Sequence, residues 1–173
     1  MPLQPVLTDE IERPRSRVVN HRACAPYTTP AEGDGLVGEI RVQVRLANSR
    51  ESLLAEAGQL PAGQNVHSTI VEALVDTGAF MTVIPANLAD GLGLMRRRKE
   101  TAVYADGHRE DVDVTEPIEL EIQGRHAVEE ALVLGDEMLI GQLALERMDL
   151  FIDPRGQRLV PNPAHPDRPV WRV

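Results

Sequence analysis

The chain has 173 residues, a formal net charge of −9 and one cysteine, Cys24. That length accommodates one domain of ordinary size with decorations and is too short for two well-cored ones. The negative charge repels nucleic acid and anionic membranes, and a lone cysteine cannot form an internal disulfide, so a cytoplasmic protein is expected.

Aromatic residues make up only 3% of the chain, so aliphatic side chains must fill the interior, and stacking platforms for bases or sugars are not expected. No apolar run approaches the roughly 18 to 20 residues that span a bilayer. The opening stretch also has no apolar core of signal-peptide length. Residues 1–35, rich in Pro and charge, read as an extended or partly disordered arm.

Regular structure is expected to begin where Ile40, Val42, Val44 and Leu46 alternate with Arg41, Gln43 and Arg45, the period of a half-buried strand. Residues of about 48–67 read as a loop insertion, broken by Gly58, Pro61 and Gly63, with a helical turn through Ser52 to Ala57. "STIVEALVD" resumes the sheet and stops at Asp76. A Thr-Gly-Ala turn then leads into the β-branched "FMTVI".

Pro85 suits a first helical position, and Gly91 suits the end of a short helix. The basic run "MRRRKE", flanked by acids, reads as solvated surface. "TAVYADGHREDVDV" predicts two strands about Asp106-Gly107, a dipeptide that readily takes the positive φ values of a tight hairpin. "EPIELEIQGRHAVEEALVL" predicts another strand pair bent at Gln123-Gly124. In "DEMLIGQLALERM", Gly141 is the junction to a short helix. "DLFIDPRGQRLVPNP" reads as a hairpin through Pro-Arg-Gly, and residues 164–173 as a Pro-rich tail. Many short strands with frequent Gly and Pro turns indicate an all-β domain.

A carboxylate between two apolar runs loses hydration, and no Arg or Lys nearby offers Asp76 a partner. Other constellations are weaker. The five histidines are scattered without metal-ligand spacing, Cys24 has no evident base, and "DGLGL" lacks the Lys-Ser or Lys-Thr of a phosphate loop. The alternating acids of "EDVDVTE" fit solvent-facing strand positions. No metal and no cofactor are expected.

"LVDTGAFMTVI", "YADGH" and "LIGQLALERMDLFIDPRGQRLVPNP" resemble, in this order, the retropepsin-like aspartic proteases, the family of retroviral proteases and small bacterial relatives. The resemblance implies a closed or partly open β-barrel-like domain over 36–163 with one or two short helices. It implies catalysis by Asp76, Thr77 and Gly78, with substrate contacts at Ala79, Phe80, Ala105, Asp106, Gly107 and Ile140. The hairpin about Gly107 would be a flap over an extended peptide substrate.

Peptide hydrolysis needs a base for the water and an acid for the carbonyl, hence two carboxyls sharing a proton, and the chain has one Asp-Thr-Gly. The family's solution is a homodimer in which each copy gives its Asp76. Two departures stand out. Phe80 and Gln142 occupy positions where retroviral members carry an Asp and the Arg that pairs with it. Losing both leaves no orphaned charge, so a rebuilt site is expected. The alternative is a catalytically silent dimerisation or peptide-binding domain.

Overall fold

The computed structural model describes residues 38–104 and 106–170. The expected N-terminal arm, with Cys24 and His21, and the expected substrate contact Ala105 lie outside the described residues.

Strand β1 (Arg41–Asn48) buries Val44 and Leu46 and turns Arg41, Gln43 and Arg45 to solvent, as its alternation requires. Helix α1 (Ser49–Glu56) follows at once, beginning three residues before the expected turn. The reason is Asn48. Its side-chain oxygen accepts from the Glu51 amide at 3.2 Å as an N-cap, while its fully buried amide group donates to the Leu92 carbonyl at 3.1 Å.

Strand β2 (Ser68–Val75) returns antiparallel to β1, pairing Val44 with Val71. The other edge of β1 holds β6 (Ile118–Ile122), which is joined to β7 (Arg125–Glu129) through a two-residue turn. Gln123 and Gly124 both take positive φ, 52° and 75°, as the primed turn matching strand twist demands.

The sheet then continues from β2 toward the chemistry. Strand β9 (Leu139–Ile140) lies parallel to β2, with Leu74 opposite Leu139 and Val75 opposite Ile140. Strand β3 (Val83–Ile84) is antiparallel to β9 and parallel to β8 (Leu132–Val133). Strands β5 (Arg109–Thr115) and β4 (Arg96–Val103) complete the nine-stranded order β4-β5-β8-β3-β9-β2-β1-β6-β7. A separate ribbon pairs β10 (Leu150–Asp153) with β11 (Arg158–Pro161). The domain is mostly strand, and its helices are short: α1, α2 (Ala86–Gly91) and α3 (Gln142–Met148). None is long and apolar enough to cross a membrane.

The core is aliphatic, as the scarcity of aromatics requires: Leu46, Ile84, Leu92, Ile118, Leu120, Ile122, Ile140 and Met148 are fully or almost fully buried. Each such side chain contributes about 1.5–3 kcal/mol. A polar clamp closes the far end. The buried guanidinium of Arg125 donates to the Met148 and Asp149 carbonyls at 2.9 and 2.8 Å and to the His165 and Pro166 carbonyls. Asp149 ends α3 in the left-handed conformation (φ 52°) and accepts from Asn162 at 2.7 Å and His165 at 2.8 Å. Those bonds hold its carboxyl below the usual range.

The β4–β5 hairpin turns differently from expectation. The Gly107 amide donates to the Tyr104 carbonyl and the Tyr104 amide to the His108 carbonyl, both at 2.9 Å. Of the pair Asp106-Gly107 only Gly107 has positive φ, 84°. The Asp106 carboxylate accepts from the His108 amide at 2.9 Å, which suits an ordinary turn followed by a bulge and not a two-residue turn.

Candidate active site

Residues 76–82 link the end of β2 to β3, and backbone hydrogen bonds tie this loop down on two sides. The Asp76 amide donates to the Ile140 carbonyl at 3.0 Å, and the Ala79 amide to the Asp76 carbonyl at 3.2 Å. From the other side, the first two amides of α3 reach back into the loop. Gln142 donates to the Ala79 carbonyl at 2.9 Å and Leu143 to the Phe80 carbonyl at 3.1 Å, filling donors that a helix start leaves unsatisfied.

Gly141 allows this approach. A Cβ there would sit 2.5 Å from the Met81 carbonyl oxygen and 2.9 Å from that of Ala79. The Leu-Ile-Gly motif is therefore a packing requirement of the Asp-Thr-Gly loop: the glycine exists so that two backbones can touch.

The Asp76 carboxylate is half-buried, and its Oδ1 accepts from the Gly78 amide at 2.8 Å. That bond orients the carboxyl outward beside exposed Thr77. Asp76 opens onto a cleft of about 630 Å3. Gly78, Ala79, Phe80 and Met81 form one wall, Glu100 to Tyr104 of the hairpin the other, and Val83, Leu132, Leu134 and Leu139 an apolar floor. A second groove, of about 450 Å3, begins at Thr77 and runs between α3 and β10, where Phe151 and Ile152 are exposed.

The structure thus brings together Asp76, Gly78, Ala79 and Phe80, and it separates other expected contacts. Ile140 is fully buried in the core and reaches the site only through its carbonyl; its neighbour Leu139 lines the cleft. The alternation of strand side chains is the reason, since adjacent residues of β9 face opposite sides. Asp106 and Gly107 form the hairpin tip and do not line the cleft, whereas Tyr104 does. Gln142 donates its side-chain amide to Glu146 at 2.7 Å and makes no bond toward position 80. Among the described residues no group of three His, Cys, Asp or Glu is placed to hold a metal ion.

Sequence reasoning missed Thr82 and Glu129. Thr82 leaves the loop fully buried, and its hydroxyl donates to Glu129 Oε1 at 2.5 Å. The other Glu129 oxygen is buried with no hydrogen-bond partner among the described residues. Burial raises the pKa of this carboxyl, against the opposing pull of the Thr82 hydroxyl and the nearby Arg147 charge.

A raised folded-state value means that the fold prefers the neutral acid. The stability this lends is present below the ordinary carboxyl range and is lost as pH rises through the folded-state value. Glu129→Gln should therefore gain on the parent by on the order of 1 kcal/mol between acid and neutral pH. Urea unfolding of both proteins across pH reads this directly, and parallel curves would show that the Glu129 carboxyl titrates alike in the folded and unfolded chain.

Residues 64–147 match the family described as "gag-polyprotein putative aspartyl protease". Among solved structures, the chain is similar to EIAV protease complexed with the inhibitor HBY-793, at 26% identity, covering 45% of this chain and 76% of that one, with a TM-score of 0.38. No curated protein matches. The match runs from the loop before β2 to the last turn of α3 and contains the Asp76 loop, the hairpin and Gly141. Over that span the chain is similar to the aspartyl proteases that this family model describes.

Proposed function

We propose that the protein is an aspartic endopeptidase whose reacting centre is a pair of Asp76 carboxyls, one from each of two copies. The observation that carries this reading is the half-buried Asp76 carboxyl, held outward by Gly78 at the end of a cleft roofed by a hairpin. One carboxylate takes a proton from water as the water attacks the peptide carbonyl; the other, protonated, donates a hydrogen bond to the developing oxyanion. Like charges in close contact enforce the sharing of one proton, and the two titrations belong to the pair.

The substrate lies extended between the loop and β4, pairing its main chain with strand edges and placing side chains on the apolar floor. Phe80 and Ala79 contact it, and the tip at Asp106 and Gly107, with Ala105, closes over it.

The face that meets a second copy must include Thr77, since the carboxyls have to converge beside it. Two features support that face: the groove at Thr77, and the exposed Phe151 and Ile152 of β10, a strand that among the described residues is paired only on its β11 side. β10 has no Lys, Arg or Pro to guard its open edge, whereas β11 has Arg158 and Pro161, and β4 has Arg96, Arg97, Arg98 and Lys99. The proposed setting is the cytoplasm, in keeping with a single cysteine, and the chemistry requires no cofactor.

The test is peptidase activity per chain against protein concentration, alongside sedimentation. Activity should rise with the dimer fraction and vanish for the monomer. A fully active monomer would overturn the shared centre, and peptide binding without turnover in a stable dimer would indicate a silent module.

A further inference from the structure

Strand register puts an unexpected charge on the roof of the cleft. In the β4–β5 hairpin, Arg98 is opposite Val114, Glu100 opposite Val112 and Ala102 opposite Glu110. Cross-strand partners share a face, so these residues point the same way as Val112 and Val114, both buried. The opposite face carries the solvated pairs, with Lys99 near Asp113 at 3.5 Å and Thr101 bonded to Asp111 at 2.9 Å. Glu100 therefore stands on the inner face of the hairpin and lines the cleft opposite the Asp76 loop.

Its charge is only partly balanced. Arg98 donates through Nε to Glu100 at 2.7 Å, but its two terminal nitrogens are held by both oxygens of Glu130, at 2.7 and 2.6 Å. One guanidinium thus serves two carboxylates. Among the described residues, neither Arg98 nor any other Lys, Arg or His lines the cleft. The other inner-face acid, Glu110, is occupied by the Tyr104 hydroxyl at 2.8 Å. The cleft wall therefore offers one exposed, underpaired carboxylate beside an apolar floor, placed to attract a cation on a bound peptide.

We infer that Glu100 is a specificity-determining residue, selecting peptides that place a Lys or Arg side chain against the roof of the cleft while apolar neighbours occupy the floor. This rests on the cleft being the peptide site proposed above. It is independent of turnover, because recognition needs the wall and not the carboxyl pair.

The decisive experiment separates the two. Decapeptides of Leu, Val and Ala, carrying one Lys, one Gln or one Glu at each position in turn, are titrated against the full chain bearing Asp76→Asn, and their cleavage by the parent is profiled in parallel. At one or two positions the Lys peptide should bind about tenfold more tightly than its Glu counterpart. The preference should disappear with Glu100→Gln and invert with Glu100→Lys. A preference unchanged in Glu100→Gln, no preference for the cation at any position, or no peptide binding at all would overturn the assignment. Glu100 would then act only as an inward charge that protects an edge strand from aggregation. Charge-selective binding without cleavage by the parent would uphold Glu100 and sink the peptidase reading instead.

Discussion

Asp76→Asn is expected to lower peptidase activity by about 10^3-fold or more while leaving the fold intact. The substitution is nearly isosteric, and an amide oxygen can still accept from the Gly78 amide that orients the side chain at 2.8 Å. What is lost is basicity. In a symmetric pair one substitution removes both carboxyls, so neither a base for the water nor an acid for the carbonyl is left. Cleavage of a denatured protein at pH values from about 3 to 7, the range in which such pairs share a proton, checks the activity, and thermal unfolding checks the fold. Residual cleavage at the parental rate would move the chemistry away from this loop altogether.

Gly141→Ala tests the support beneath that carboxyl. The backbone there, at φ −79° and ψ 171°, is open to any residue, so the cost is steric and nothing else. A methyl group 2.5 Å from the Met81 oxygen and 2.9 Å from the Ala79 oxygen meets main chain, which cannot swing aside as a side chain can. Either the domain loses about 3 kcal/mol or more, or β9 and the 76–82 loop part and the amides of Gln142 and Leu143 lose their acceptors. Both outcomes remove activity, and chemical denaturation distinguishes them. Gly91→Ala is the contrast: its added Cβ would meet nothing within 4 Å, and unfolding should shift by less than about 1 kcal/mol.

Much of this was legible in the residues. Period-two alternation located β1, the β-branched run of "STIVEALVD" located β2, Gln123-Gly124 marked the bend between β6 and β7, and Gly141 marked the strand-to-helix junction. The Asp-Thr-Gly loop lies where its flanking apolar runs predict. What stayed hidden depends on pairing between distant segments. The α1 start rests on Asn48, a residue that reads as the end of a strand until Leu92 and Glu116 surround it. Thr82 looks like one more β-branched residue until Glu129 arrives from β7. Glu100 reads as part of a solvated charge run and is indeed exposed; its register opposite Val112 is what places it over the cleft. Ile140 is the reverse case: the motif drew attention to it, and the pleat buries its side chain in the core while Leu139 lines the cleft.

The Arg125 clamp bears on how this protein can be shortened. The family match stops at residue 147, and an economical truncation would stop there or at the end of the β10–β11 ribbon. Either cut would strip the His165 and Pro166 carbonyls from a guanidinium that sits inside the matched span and is buried in the intact chain. A buried cation without its acceptors costs several kcal/mol. For expression, the smallest self-sufficient piece therefore extends at least through Pro166, and the Pro-rich tail is a working part of the fold's interior wiring.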